Sequence, residues 1–584
     1  MREVWMELPM KKLAILASLA FFLLHYATVS AQRPSNAPPT APSAKPPDTV
    51  FIEELTWSEV RDLIKAGTTT VIIATAGTEQ KGPHMVEGEH KFVMEYTADK
   101  IARLLGKTLV APVITYVPEG SWENPTGHMS KPGTITLPEA RFVDLLVNAG
   151  RSLKAGGFKD ILFIGESGGN RTGMRTAAAR LNEVWKQTGA RAFWIDDYYT
   201  KSEADQEKYI TEKLGIPRDQ IGGHANIMST SEMLFVNPKH VRKNKLAPGG
   251  GYDNSGVSGD PTKSTAELGK IFLQIKIDNS LAQIKGLMAG AIPPSSQSQV
   301  GEGSRGGGPT QNAIQAASQG TTAVTAPASK TPTQAPDTVF IDELTWEEIR
   351  DAIKSGKTTV IIPIGGTEKN GYHMVLGKHN YVVAHNANLM ARRLKNALVA
   401  PTIQYVPEGD PDEAVPGLIS LPSPAYDMLL DAAARSLKVH GFKDILFIGD
   451  SGPNQPGMTN VANKLNTEWN GTGVKVFALT DYYNESRVHH RAWLQAAYGY
   501  DPEAVGNHAG ISDTSQLLFI RPSGIRKDQM KPWGGPQDSG VSGDPSKATA
   551  EIGKMGIEFK VNAALNQYKL LKNPPQRAGS GDAR

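Results

Sequence analysis

The feature that most constrains this chain is an internal repeat. The segment DTVFIEELTWSEVRDLIKAGTTTVII, which begins at Asp48, returns from Asp337 as DTVFIDELTWEEIRDAIKSGKTTVII. Later stretches recur in the same order, down to the SGVSGDP segments that begin at Ser255 and Ser539. The spacing is close to half of the 584 residues. Solenoid repeats span only roughly 20 to 50 residues, so this spacing indicates a duplicated domain.

Composition places the boundaries of the two copies. We predict folded domains over residues 48–287 and 337–571. The segments 32–47, 288–336 and 572–584 are rich in small and polar residues, and we predict a disordered lead segment, linker and tail there. Because each copy has a full set of strand and helix segments, we expect each to fold independently, so that a protease cutting the linker releases two stable parts.

The first 31 residues have the layout of a secretory signal peptide. Lys11 and Lys12 precede the apolar run LAILASLAFFLL, and small residues lead up to Ala31. A retained anchor is the alternative, although the run is shorter than the roughly 20 apolar residues of a membrane span. The chain has no cysteine, so no disulfide stabilises it after export. We expect a bacterial periplasmic or extracellular protein without a stable membrane anchor.

Net charge excludes one class of partner. The chain carries 62 basic and 59 acidic residues, a net charge of +3, which is not the strongly basic balance of a nucleic-acid-binding protein. We therefore expect a small-molecule substrate or ligand and no nucleic acid. A homo-oligomer stays open at this point.

Segments typical of strands alternate with segments typical of helices in each copy. In the first copy the strand segments are 70–74, 108–117, 160–164 and 192–195, and the helix segments are 92–105, 140–153 and 174–185. This alternation predicts an α/β fold with three α/β/α layers around a mostly parallel sheet. Ligands of such folds lie beyond the carboxyl ends of the strands. The loops after the strands are therefore the places to look for a site.

Four polar segments follow these strands in the same order in both copies. In the first copy they are GTEQKGPHMVEGEH from Gly77, GESGGN from Gly165, HANIMSTS from His224 and GVSGDP from Gly256. In the second copy they are GTEKNGYHMVLGKH from Gly366, GDSGPN from Gly449, HAGISDTS from His508 and GVSGDP from Gly540. With these segments in register, each copy resembles the creatininase family of metal-dependent amidohydrolases.

The resemblance implies two divalent ions, Zn or Mn, which activate water for attack on an amide carbon. Glu79 and Glu368 match the first metal ligand of the family, and Asp513 matches a later acidic ligand. Other ligand positions differ from the family pattern: they hold Lys81 and Asn370, His90 and His379, Ser167 and Ser451, and Ser229. An imidazole cannot bridge two ions as a carboxylate does. We therefore do not expect the usual two-metal site in either copy.

The same loops offer donors for an altered, mononuclear site, because two histidines and a carboxylate can hold one ion. The candidate metal ligands are Glu79, His84 and His90 in the first copy and Glu368, His373, His379 and Asp513 in the second. The candidate catalytic residues are Glu166, His224, Asp450 and His508. For His84 and His373 a purely structural role, as loop residues hydrogen-bonded to backbone, is the alternative.

Two functions are compatible with these residues. One is a hydrolase of an amide or cyclic amide C–N bond with the altered metal site. The other is a catalytically inactive tandem protein that serves as an exported small-molecule-binding or scaffold protein. We expect any remaining metal site to be stronger in the second copy, because Asp513 replaces Ser229 and Asn370 lacks the charge of Lys81.

Overall fold

The computed structural model describes residues 47–251, 254–291, 336–532 and 539–574. The predicted signal peptide over 1–31 lies outside these ranges, as do most of the lead segment, linker and tail predicted over 32–47, 288–336 and 572–584. Within the described ranges, no helix combines the length and the apolar character needed to cross a membrane.

Each copy contains a parallel sheet of four strands. The strands are β1 Thr70–Thr75, β2 Thr108–Val110, β3 Asp160–Gly165, β4 Arg191–Trp194, β5 Thr359–Ile364, β6 Ala397–Val399, β7 Asp444–Gly449 and β8 Lys475–Ala478. Their order is β2–β1–β3–β4 in the first copy and β6–β5–β7–β8 in the second. The register is equivalent, since Thr70 pairs with Thr108 and Asp160 as Thr359 pairs with Ala397 and Asp444.

Helices precede the first strand and follow the later strands in both copies. In the first copy they are α1 Trp57–Lys65, α2 Glu89–Leu105, α3 Glu139–Ala155, α4 Asn170–Trp185, α5 Thr200–Leu214, α6 Arg218–Ile221, α7 Ile227–Val236 and α8 Ala266–Met288. In the second copy they are α9 Trp346–Lys354, α10 Lys378–Leu394, α11 Ser423–Val439, α12 Asn454–Glu468, α13 Asn484–Tyr498, α14 Pro502–Val505, α15 Ile511–Ile520 and α16 Ala550–Lys572.

The sheet is buried on both faces. Val71 and Ile73 pack with residues of α3 and α4, whereas Ile72 and Ala74 pack with residues of α2 and α8. Helices on both faces of a parallel sheet require central strands that are apolar throughout. The predicted α/β class, with a parallel sheet in each copy, is confirmed.

One predicted strand is much shorter than expected. The segment 108–117 forms a strand only over Thr108–Val110. Pro112 follows, and a proline has no N–H for the ladder. Beyond it the chain returns to the sheet only as an isolated bridge between Ile114 and Thr75.

The two copies share one hydrophobic core. A single cluster contains Ile73 and Phe163 from the first sheet together with Ile362 and Phe447 from the second. Helices α3 and α11 contact each other across this boundary. Both copies belong to one compact unit. This arrangement does not support the expectation that each copy folds independently.

Pairs of equivalent hydrogen bonds cross the boundary. Tyr116 Oη donates to the Pro401 carbonyl at 2.6 Å, and Tyr405 Oη donates to the Pro112 carbonyl at the same distance. The Arg242 guanidinium binds Glu348, as Arg526 binds Glu59. The copies are therefore related by approximate two-fold symmetry.

The boundary also reaches the polar loops after β1 and β5. The Glu87 N–H donates to the Leu344 carbonyl at 2.8 Å, and the Leu376 N–H donates to the Leu55 carbonyl at 2.8 Å. These residues immediately precede α2 and α10. Each copy thus forms a backbone hydrogen bond with the loop that leads into the candidate site of the other copy.

Candidate functional site

The first candidate site lies beyond the carboxyl end of β1. Glu79 follows this strand, and His90 lies in the first turn of α2. Oε1 of Glu79 is 2.8 Å from both His90 Nε2 and Lys81 Nζ. Lys81 is buried and also lies 3.2 Å from Glu89 Oε2. An ammonium group therefore pairs directly with the predicted first metal ligand.

Two further histidines approach Glu79. His128 Nε2 lies 3.2 Å from Glu79 Oε2, and His224 Nδ1 lies 3.9 Å from Glu79 Oε1. One ligand atom from each of these three residues lies within 4.8 Å of the others. Among the described residues this is the group able to hold a metal ion. Glu79 was predicted as a metal ligand and His224 as a catalytic residue, whereas His128 was not predicted.

Both histidines are in the form that binds metals. Burial lowers the pKa of His128 to about 4, and burial together with the Lys81 ammonium lowers the pKa of His224 well below its usual range. His224 Nε2 lies 2.8 Å from the Gln80 carbonyl, which can only accept, so Nε2 carries the proton. The Nδ1 lone pair of His224 therefore faces Glu79.

The Glu79 carboxyl is ionised. Burial alone would raise its pKa, but the neighbouring His128, Lys81 and His90 hold the pKa of Glu79 well below its usual range. The first copy thus presents one carboxylate and two neutral imidazoles, a donor set suited to a single Zn or Mn ion.

His84 and His373, which are also predicted metal ligands, each contact a threonine hydroxyl. His84 Nε2 is 2.9 Å from Thr230 Oγ1, and His373 Nε2 is 2.8 Å from Thr514 Oγ1. Burial lowers the pKa of each imidazole to about 4. These contacts fit the structural alternative, with a threonine hydroxyl of α7 or α15 as the partner in place of backbone.

Glu166 belongs to a buried network beside the first site. Its carboxylate accepts hydrogen bonds from Tyr198 Oη and Lys276 Nζ, and Lys276 Nζ also lies 2.7 Å from Glu232 Oε2. Burial raises the pKa of Glu232 to about 7, although Lys276 opposes this shift. Glu166 is therefore engaged by an ammonium and a phenol.

In the second copy, His379 connects two carboxylates. Its Nε2 lies 2.5 Å from Glu368 Oε1, and its Nδ1 lies 2.6 Å from Asp450 Oδ2. Asp450 also contacts Lys560 Nζ at 2.5 Å and Tyr482 Oη at 2.9 Å. The structure thus brings the predicted Glu368, His379 and Asp450 into one chain of hydrogen bonds.

His508 completes this second site in a charged form. Its Nε2 lies 3.0 Å from Glu368 Oε1, and its Nδ1 lies 2.8 Å from the Gly540 carbonyl. Burial opposes the charge, but the Glu368 carboxylate outweighs it and raises the pKa of His508 to about 9. An imidazolium has no lone pair for a metal. His508 therefore differs from its equivalent, His224.

The prediction of a stronger metal site in the second copy rests on Asp513 and on the missing charge at Asn370, but a lysine lies beside Asp513. Lys378 Nζ lies 3.0 Å from Asp513 Oδ1 and 3.6 Å from Asp450 Oδ2. Burial would lower the pKa of Lys378, but Asp513 and Asp450 hold it above its usual range. The acid that was expected to strengthen a metal site in the second copy is thus paired with a lysine.

The second site opens into a cavity of about 120 Å³. Glu368, His379, His508, Asp513 and Lys560 contribute to its wall. The second copy also has no counterpart of His128, because the loop GSWENPTGHMSKPG at 120–133 is replaced by the shorter GDPDEAVPG at 409–417. The carboxylates of Glu368 and Asp513 in this wall are each paired with a histidine or lysine.

A second pair of glutamates was also missed. Glu119 and Glu408 are the fourth residues of the repeated YVPEG motif, and both are buried near the sites. Burial, and then the charge of Glu79, raises the pKa of Glu119 well above its usual range; burial and Glu368 do the same for Glu408. Each of these carboxyl groups therefore holds its proton more tightly than an ordinary glutamic acid does.

Comparison with known proteins places the chain in a family. The family model described as creatininase, creatinine amidohydrolase, matches residues 53–284 and 342–567. The chain belongs to the creatininase family. The predicted family membership, with one match in each copy, is confirmed.

Two relatives illustrate the activities in the family. A creatinine amidohydrolase of Pseudomonas putida is 23% identical over 201 residues, which cover 33% of this chain and 75% of the relative. A mycofactocin precursor peptide peptidase of Mycolicibacterium smegmatis is 25% identical over 242 residues, which cover 38% of this chain and 87% of the relative. A solved structure described as creatininase Mn covers 41% of this chain and 100% of its own, with 21% identity and a TM-score of 0.34. The relatives are named as hydrolases.

The two-metal site implied by the resemblance does not fit these residues. In the first copy, Lys81 and His90 engage Glu79 Oε1. In the second copy, Lys378 pairs with Asp513, and Lys560 pairs with Asp450. A single ion fits the donor set of Glu79, His128 and His224 in the first copy.

Proposed function

We propose that this protein hydrolyses an amide or cyclic amide C–N bond of a small molecule, and that the first copy carries the working site. The convergence of Glu79, His128 and His224 supports this most directly, because the three ligand atoms lie within 4.8 Å of one another. The hydrolase relatives add to it, since one is named an amidohydrolase and another a peptidase.

The residues of the first copy would have separate roles in the reaction. Glu79, His128 and His224 would hold one divalent ion, which supplies water activation and polarisation of an amide carbonyl. His128 and His224 are partly exposed, so a small molecule can reach this position. Glu119, whose pKa is raised by burial and by Glu79, would act as the acid that donates a proton to the leaving nitrogen.

Lys81 limits the site to a single weakly held ion. Its ammonium lies 2.8 Å from Glu79 Oε1 and repels any cation bound to the same carboxylate. A unit charge about 4 Å away opposes a cation by roughly 4 kcal/mol at an effective dielectric near 20. We therefore expect an ion that chelators remove easily.

Metal analysis of the full chain tests the proposal. At equilibrium with excess Zn or Mn across a dialysis membrane, metal analysis should find about one bound ion per chain, by the donor count. Glu79→Gln, His128→Ala and His224→Ala should each abolish binding. His508→Ala is the matched control, because it removes the equivalent of His224 from a copy without a counterpart of His128. A chain that binds no ion, or that binds it equally well in the His128→Ala variant, would contradict the proposal.

Turnover is tested separately with cyclic amides and dipeptides, by following the release of amine. Glu119→Gln should lose the activity and retain the ion, because it removes the proton donor and none of the three ligands. An active Glu119→Gln variant would exclude this carboxyl as the donor.

A second candidate function belongs to the second copy, as a half that binds a small molecule without hydrolysing it. Its carboxylates are paired with Lys378 and Lys560, and His508 is protonated at neutral pH. Among the described residues of the second copy no group of donors suited to a metal ion is found, while the cavity of about 120 Å³ stays open. Binding without turnover is the function that this arrangement favours.

We also propose that the protein is exported, on the strength of the signal-peptide pattern alone. The mature chain would begin near Gln32, after the small residues that end at Ala31. Mass spectrometry of protein from the cell exterior or periplasm tests this proposal, and an intact chain in the membrane fraction would contradict it.

A further inference from the structure

Two arginines line the cavity of the second copy one helical turn apart. Arg487 and Arg491 lie on α13, and both contribute to the cavity wall. Arg487 donates to Tyr483 Oη at 2.6 Å and to the Asn507 carbonyl at 2.9 Å. Arg491 donates to the Gly506 carbonyl at 3.0 Å and to the Asn507 side chain. The two guanidinium groups therefore converge on the residue that precedes His508.

Within the part of the chain that the structure describes, no carboxylate pairs with these arginines. Their hydrogen-bond acceptors are neutral oxygens. Burial, and then the charge of Arg487, lowers the pKa of Arg491. Two adjacent cations at a cavity destabilise each other unless an anion lies between them.

The equivalent positions of the first copy carry the opposite charge. Glu203 and Glu207 replace the arginines on α5, and Glu207 pairs with Arg218 at 2.8 Å. Because the same fold forms with glutamates at these positions, the arginines are not needed to build the domain. They make the cavity wall more positive, which favours the binding of an anion.

We propose that the second copy binds a small molecule through a carboxylate group that pairs with Arg487 and Arg491. The planar guanidinium presents parallel N–H donors that match the two oxygens of a carboxylate. The cavity of about 120 Å³ accommodates a small organic acid.

The rest of the cavity favours a single negative charge on the ligand. The carboxylate groups of Glu368 and Asp513 lie in the same wall, 3.0 Å from His508 Nε2 and 3.0 Å from Lys378 Nζ respectively. They would repel a second anionic group or a phosphate dianion. The remainder of the ligand is therefore neutral or a hydrogen-bond donor, as an amide N–H is.

This inference rests on the second copy being a binding half, and its test does not depend on hydrolysis. Calorimetry on the full chain after chelator treatment compares N-acetylglycine with N-acetylglycinamide, which lacks the carboxylate. We expect N-acetylglycine to bind at least tenfold more tightly. Arg487→Gln and Arg491→Gln should each lower its affinity at least tenfold, and Arg491→Lys should restore part of it.

Controls separate this site from the first copy and from a general effect of charge. Glu203→Gln, at the position equivalent to Arg487, should leave the affinity unchanged, as should His128→Ala. Thermal unfolding of each variant verifies that the chain is folded. Equal affinity for the acid and the amide, no binding of either probe, or tighter arginine-dependent binding of inorganic phosphate would overturn the proposal. A failure of the first copy to bind a metal would not contradict the proposed carboxylate site of the second copy.

Discussion

Lys81 and Lys378 occupy different positions of the repeat, yet each places a buried ammonium group among the carboxylates of its own site. Lys81 Nζ lies 2.8 Å from Glu79 Oε1, whereas Lys378 Nζ lies 3.0 Å from Asp513 Oδ1. At the equivalent positions stand Asn370 and Glu89. The two copies therefore balance the charge of their sites with different residues, and their affinities for cations are expected to differ.

The shared core predicts that the copies stay together when the chain between them is cut. Ile73 and Phe163 pack in one cluster with Ile362 and Phe447, and separating the copies would expose this apolar surface to water. Limited proteolysis within 292–335, followed by size-exclusion chromatography, should give one particle that contains both fragments. Two fragments that elute separately without denaturant would show that the core does not hold them.

The ion pairs across the boundary should contribute measurably to stability. Glu348 both caps α9, through the Thr345 N–H, and binds Arg242 of the first copy. Glu348→Gln should lower the free energy of unfolding by about 2 kcal/mol, because a cap and a charged hydrogen bond are both weakened. Urea unfolding measures the change. Asp351→Asn, in an exposed pair with Arg350, is the control and should change it by less than about 0.5 kcal/mol.

The charge on His508 predicts a loss of stability in alkaline solution. Its pKa is raised to about 9 in the folded chain by Glu368, above the usual value of 6.5. The folded state thus binds this proton more tightly, so the contribution is complete below pH 6.5 and is lost as the pH rises through about 9.

Unfolding free energies measured across this pH range, for the parent chain and His508→Gln, test the effect. The free energy of unfolding of His508→Gln should fall less over this pH range than that of the parent chain. His224→Gln is the matched control, because burial keeps His224 neutral and its removal should not alter the dependence between pH 6.5 and 9. An identical decline in all three proteins would show that His508 is not its source.

Much of the fold was predictable from the sequence. The repeat and the alternation of strand and helix segments gave the two parallel sheets, because such patterns depend on local periodicity and burial. The shared core was not predictable. An apolar helix face such as that of α3 has the same sequence pattern whether it packs within its own copy or against the other copy. The short β2 strand, in contrast, was predictable. Pro112 is present in the sequence, and its effect on the hydrogen bonds of the sheet was underestimated.

The sites were predictable only in part. Glu79, His90, Glu368 and His379 lie close together because loops after adjacent parallel strands meet at one sheet edge. His128 was missed because it comes from a loop of unequal length in the two copies, and that difference in length was the available signal. Lys276 and Lys560 were missed because they project from the long C-terminal helices, far along the chain from the loops that they reach.

The unequal lysines lead to a prediction on metal affinity. Lys81→Asn copies Asn370 of the second copy into the first and removes the ammonium that lies 2.8 Å from Glu79 Oε1. Because this charge opposes a cation bound by Glu79, His128 and His224, we expect the variant to bind Zn at least tenfold more tightly. Competition with a chromophoric chelator measures the affinity.

Lys378→Asn in the second copy is the control, since the described residues around Asp513 and Asp450 include no equivalent of His128, and its Zn affinity should match that of the parent chain. Combining Lys81→Asn with His128→Ala should abolish the gain, which assigns the ion to the first copy. Weaker binding by Lys81→Asn would mean that the ammonium positions the Glu79 carboxylate for the ion instead of competing with it.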